Sequence, residues 1–249
     1  MKTFITTIFA VATLFTAAHA EMKEKTIEVK NFEQITITGS AKVIYEQGPT
    51  CSVRVKANEA DLDLGKAYSD GTTLNVSLKG NNNVSVNLGF FDFVRGIRNG
   101  SFNTDKVVFY VTSPDLTAVN LMGSGDFICN KKVDTDHLTL TLRGSGDIDF
   151  KDIICDKFEV NLAGSGDVDI DKVETLTSNL QLRGSGDIKV SQQKVRQTEL
   201  SVVGSGDIDV HCTDCDVINA SVTGSGDITI SGQVKKVNKT VRGSGDIHY

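Results

Sequence analysis

The chain of 249 residues has no tryptophan, two prolines and an aromatic content of 6%. A core built on large rings is therefore excluded, and aliphatic side chains have to fill the interior. Basic residues are not in excess: 26 Lys and Arg stand against 32 Asp and Glu, for a formal charge of −6. That balance excludes a nucleic-acid or anionic-membrane partner drawn in by bulk charge. Cysteine is sparse, and its five copies cannot build a disulfide scaffold at this length. After the first twenty residues no apolar run is long enough to cross a bilayer as a helix. Glycine, with 23 copies, is what the chain has in quantity.

Residues 1–20 read as a secretory leader. Lys2 gives a positive start, Phe4 to Phe15 is apolar apart from threonines, and Ala18-His19-Ala20 supplies small residues at a cleavage site. The reading implies export to the periplasm, the cell surface or the medium, in an oxidising setting.

Gly-Ser-Gly-Asp recurs seven times, with first glycines at Gly123, Gly144, Gly164, Gly184, Gly204, Gly224 and Gly243. A fixed period near twenty residues means one structural unit per repeat, stacked on its neighbours. Apolar residues alternate with polar ones on both sides of the motif, as in Leu140-Thr141-Leu142-Arg143 and Ile148-Asp149-Phe150. Period-two alternation means strands with one buried face. Each repeat then reads as strand, glycine corner, strand and a looser return of about eight residues, which makes one coil of a parallel β-helix. Coils stacked ~4.8 Å apart give a rod roughly 29 Å long over six steps. At the corner, parity places both glycines inward, where a tight bend leaves no room for a β-carbon, and serine and aspartate outward. The expected organisation is a leader at 1–20, an N-terminal β section at 21–112 that caps the solenoid, and the β-helix at 113–249. The first section contains strands near 26–29, 34–38, 42–45, 52–56, 73–78 and 107–111, with Gly39-Ser40-Ala41-Lys42-Val43 as a degenerate corner.

Several groups are candidates for chemistry. Asp147, Asp167, Asp187, Asp207 and Asp227, with Asp126 and Asp246 at the ends, are expected to form an outer column, with Arg143 and Arg183 close by. Such a column can be corner chemistry repeated with the coil, a ligand face, or a ladder for calcium. A long insertion at 80–105 carries Phe90, Phe91 and Phe93, which pack on the rod or on a partner. His211-Cys212-Thr213-Asp214-Cys215-Asp216 offers zinc-ligand types but lacks a fourth local ligand; a Cys212–Cys215 disulfide or two inert thiols is the simpler reading. No catalytic motif of the hydrolase, phosphate-loop or zinc-protease kind is present.

Phe32…Ile35-Thr36-Ile37…Gly39-Ser40, then Tyr110-Val111-Thr112-Ser113-Pro114-Asp115-Leu116, then the run of Gly-Ser-Gly-Asp corners resemble the putative autotransporter adhesin, head GIN domain family of exported bacterial proteins. The resemblance implies a right-handed, single-stranded parallel β-helix and an adhesin-like role, and it brings no catalytic residues. Three functions remain open on the sequence. One is a non-enzymatic module that binds glycan or another envelope component. Another is a polysaccharide lyase or hydrolase using the acidic column. The third is a structural rod that assembles end to end through an uncapped last coil.

Overall fold

The computed structural model describes residues 22–59, 61–78 and 107–249. The leader and the insertion with Phe90, Phe91 and Phe93 lie outside the described residues. Seven strands precede the repeats: β1 (Met22–Ile27), β2 (Gln34–Gly39), β3 (Lys42–Gln47), β4 (Ser52–Asn58), β5 (Gly65–Ser69), β6 (Thr73–Leu78) and β7 (Val108–Ser113). The repeats contribute β8 (Ala118–Gly123), β9 (Asp126–Asp134), β10 (His137–Gly144), β11 (Asp147–Ile154), β12 (Lys157–Gly164), β13 (Val168–Glu174), β14 (Thr177–Gly184), β15 (Ile188–Gln193) and β16 (Gln197–Gly204). In the last coils strands merge into β17 (Ile208–Gly224) and β18 (Ile228–Gly243), followed by β19 (Ile247–His248).

The protein is a parallel β-solenoid. Each strand before a corner pairs with its equivalent one coil on, as in Leu140↔Val160, Val160↔Leu180 and Leu180↔Leu200. The strands after the corner do the same, as in Ile148↔Val168 and Val168↔Ile188. Like residues thus stack on like, so the inward set becomes continuous columns of Leu, Val and Ile with almost no exposure. At ~25 cal/mol per Å² of apolar surface removed from water, these columns are the main favourable term. The rings stack too: Phe127 lies 5.9 Å from Tyr45 and 5.2 Å from Phe150 between centroids. The buried Tyr45 hydroxyl is satisfied by Ser113 Oγ at 3.0 Å. The Thr-Ser-Pro-Asp-Leu stretch is therefore a turn whose serine reaches into the core.

The return is tighter than the sequence suggests. β11 runs to Ile154 and β12 begins at Lys157, so only Cys155 and Asp156 separate them. Ile153, Cys155 and Phe158 keep pointing inward, and a register shift between Phe150 and Asp152 absorbs the bend.

The N-terminal section joins the stack out of chain order. Gly39 pairs with Gly123 and Val43 with Phe127, so β2 and β3 form a coil directly beneath the first Gly-Ser-Gly-Asp coil. β6 and β7 lie beneath that coil, parallel to β2 and β3. Antiparallel pairing then takes over, with β5 on β6, β4 on β7 and β1 on β4. β5 has no signal in the sequence: Gly-Lys-Ala-Tyr-Ser lacks apolar alternation, and its pairing with β6 alone makes it a strand.

Candidate functional site: an aspartate ladder and a polar groove

The glycine corner is held by backbone stacking. Ser165 N–H donates to Gly144 O at 2.9 Å and Gly166 N–H to the same oxygen at 3.2 Å, and the pattern recurs in later coils. A β-carbon on Gly166 would lie 2.0 Å from Gly146 O, and one on Gly164 2.0 Å from Gly144 O. What excludes a side chain is thus the neighbouring coil's backbone along the axis. The expected reason, crowding in the interior of the bend, is not the operative one.

The aspartates do form a column, and each carboxylate from Asp147 to Asp227 has a backbone partner on the next coil. Asp147 Oδ1 accepts from Asp167 N–H at 3.3 Å and Asp167 Oδ1 from Asp187 N–H at 3.0 Å. Asp187 then serves Asp207 at 3.1 Å, Asp207 serves Asp227 at 2.7 Å, and Asp227 serves Asp246 at 2.7 Å. In the first two coils the same amide reaches a backbone carbonyl, Asp126 N–H to Ala41 O and Asp147 N–H to Gly125 O; from Asp167 on the carboxylate takes that place, and an unpaired amide is unfavourable. At the N-terminal end Lys42 occupies the aspartate position of the degenerate corner and pairs with Asp126 at 3.3 Å. Among the described residues no other carboxylate of this column is ion-paired. Arg143 and Arg183 sit two coils apart on the strand before the corner, and Arg183 Nη2 turns to Gln181 Oε1 at 3.2 Å.

Beside the column, Asp149 and Asp169 pair across coils, with Lys189 on the next. With Asp147, Asp167 and Asp187 they line a small cleft of about 170 Å³. Burial, then the neighbouring Asp147, Asp169 and Asp126, push the Asp149 carboxyl above the usual carboxylate range. Among the described residues no group of three or more His, Cys, Asp or Glu is placed to hold a metal ion. The His211 to Asp216 cluster is split: Cys212 and Cys215 point inward, while His211 faces out and meets Ser231 Oγ at 3.0 Å.

Reading the sequence repeat by repeat overlooks a second feature. On the outer face of β14, β16 and the later halves of β17 and β18, outward residues align into a shallow groove of about 520 Å³. Asn179, Gln181, Glu199, Ser201, Asn219 and Ser221 are among its lining residues. Asn238 Nδ2 donates to Asn219 Oδ1 at 2.7 Å, and Asn219 Nδ2 to Glu199 Oε1 at 2.6 Å. Gln197 Nε2 adds a bond to Glu199 Oε1 at 2.9 Å. The available signal was columnar: an amide or hydroxyl side chain at the third position before each Gly-Ser-Gly, with mostly polar residues at the fifth.

The family described as "Putative auto-transporter adhesin, head GIN domain" matches residues 31–232 and 172–249. The chain belongs to this family. Among solved structures, a protein titled a putative adhesin from Bacteroides fragilis is 24% identical, with a TM-score of 0.68 over 92% of this chain and 96% of that one. A second, titled a putative lipid binding protein from Parabacteroides distasonis, is also 24% identical, with a TM-score of 0.65 over 92% and 97% of the two chains. At these identities the likeness is one of fold. No curated protein matches the chain. The solenoid is thus the frame that this head GIN domain chain shares with these two structures.

Proposed function

We propose that the protein is an exported, non-enzymatic, adhesin-like module that binds a glycan or another envelope component on the outer face of its solenoid. The observation that carries the reading is the amide and hydroxyl groove. Asn, Gln and Ser present donors and acceptors together, as sugar hydroxyls require, and their cross-coil bonds fix their orientation before a ligand arrives. The corner aspartates are a weaker binding face, because each carboxylate from Asp147 to Asp227 already serves the next coil's amide. The same engagement leaves less of each carboxylate for calcium.

A glycan array on the purified protein tests this, with variants on each face. Asn219→Ala combined with Ser221→Ala is expected to abolish binding, while Asp167→Ala with Asp187→Ala retains it. An array, with phospholipid vesicles as a further arm, on which nothing binds would overturn the reading.

A polysaccharide-active enzyme is the second reading, and the cleft around Asp149 favours it. A carboxyl with a raised pKa beside ionised neighbours is the arrangement of a general acid. Turnover of a uronate-containing polymer that disappears in Asp149→Asn would displace the binding module. End-to-end assembly has less in its favour. Lys239 takes an inward position in the last coil, where Ala220 stands one coil earlier. Its Nζ donates to Ile247 O at 3.3 Å and lies 5.1 Å from the Tyr249 ring. An inward charge on an edge strand opposes pairing with a second chain. Light scattering is expected to give a mass independent of concentration.

A further inference from the structure

Cys212 and Cys215 play no part in the binding reading, yet the fold brings them together. Cys212 pairs with Gly232 and Cys215 with Val234, so Thr213 and Asp214 together oppose a single residue of the next coil. This is a β-bulge, and it turns on Asp214, whose φ of 58° is left-handed. Strict alternation would send one of two residues three apart outward. The bulge sends both inward, each 1% exposed.

The two thiols share one polar neighbour in the core. Gln192, on the coil beneath, directs Nε2 at both sulfurs, 3.4 Å from Cys212 Sγ and 3.8 Å from Cys215 Sγ. The other cysteines have different partners. Cys129 donates to Lys131 O at 3.3 Å, Cys155 to Thr175 Oγ1 at 3.7 Å and Cys51 to Phe32 O at 3.6 Å.

We infer that Cys212 and Cys215 are a dithiol that closes to a disulfide within one coil, locking the bulge. The oxidant is a small-molecule disulfide of the oxidised-glutathione class. Cys212, as thiolate, attacks one of its sulfurs and expels the first thiolate. Cys215 then loses its proton and attacks Cys212 Sγ of the mixed disulfide. The Cys212 Sγ–Cys215 Sγ bond forms as the mixed bond breaks, and the two electrons and two protons given up by the dithiol leave with the oxidant's two thiols. The neighbouring Cys215 and the Gln192 amide hold the Cys212 thiol below its ordinary range, which suits the attacking role. Burial places the exchange before the last coils close and shields the finished bond from reductant.

The full chain, refolded in a glutathione redox buffer and then denatured, is alkylated, digested with trypsin and weighed. Cys51, Cys129 and Cys155 are expected to carry label. The segment after Arg196 and up to Lys235, which holds both Cys212 and Cys215, should carry none and be two hydrogens lighter. Label on all five cysteines, or a bond from either residue to another cysteine, overturns the assignment. Thermal unfolding gives an independent measure: reductant should lower the midpoint of the natural chain and leave Cys212→Ala/Cys215→Ala unmoved. Equal response of the two proteins would also overturn it.

Discussion

Each coil has two bends that solve the same problem differently. At the Gly-Ser-Gly-Asp corner, backbone rests on backbone from coil to coil, and the four residues repeat without change from Gly123 to Asp246. At the opposite bend, the buried inward positions are filled in turn by Thr135, Cys155, Thr175, Val195 and Cys215. Side chains do the spacing there, so several types fit. Two of these bends even hold non-glycine residues in left-handed conformation, Lys194 at φ 60° and Asp214 at φ 58°. Sequence is fixed where peptide groups touch and drifts where side chains intervene. The uniformity of a repeat then measures backbone contact, and it is weak evidence for ligand binding.

The largest effect that could break this comparison is steric. Gly166→Ala puts a β-carbon 2.0 Å from Gly146 O, against backbone that cannot yield without opening the coil. A loss of more than about 4 kcal/mol, or failure to fold, is expected. Gly39 has φ +85°, and a β-carbon added there would meet nothing within 4 Å, so Gly39→Ala faces conformational strain alone. About 1–2 kcal/mol is expected there. Denaturant unfolding of both variants decides the matter: equal losses would remove backbone stacking as the reason for the glycines.

A middle-sized effect tests the ladder. Asp187→Ala removes the acceptor of Asp207 N–H, bonded at 3.1 Å, and should lower stability by about 1 kcal/mol. Asp187→Asn keeps an oxygen in place and should lose less than half of that. If Asn proves as damaging as Ala, the column matters through its charge, and the backbone account of its repetition fails.

These contrasts also explain what the sequence could reveal. The Gly-Ser-Gly-Asp corners were legible because backbone contact tolerates one solution, and even the degenerate Gly39-Ser40-Ala41-Lys42 segment was legible as a corner, though its place beneath Gly123 was not. The position of β6 and β7 below β2 and β3 was hidden, because nothing local in Thr73–Leu78 or Val108–Ser113 records which strand lies alongside. β5 was hidden for the same reason, its strand character coming from its partner. The groove was missed because Glu199 and Asn219 are ordinary outward residues until their coils align at 2.6 Å. The meeting of Cys212 and Cys215 depended on a bulge that alternation does not predict.

The smallest effect sharpens the view of the outer face. Burial, followed by Asp147, Asp169 and Asp126, makes the Asp149 carboxyl hold its proton more tightly when folded than unfolded. The sign is therefore the reverse of an ion-paired aspartate: its proton favours folding at acid pH, and that contribution is lost as pH rises through the raised folded value. Asp149→Asn should be more stable than the natural chain at neutral pH, by less than about 1 kcal/mol because the side chain is partly solvated. Near pH 4, about the ordinary carboxylate range, the two proteins should converge. Unfolding midpoints across this interval separate two causes. Repulsion between coils predicts that the gain shrinks with added salt, whereas burial alone predicts a gain that salt leaves unchanged. A destabilised Asp149→Asn at neutral pH would mean that Lys42, the weakest of the influences on this carboxyl and the one opposing the rest, outweighs them all.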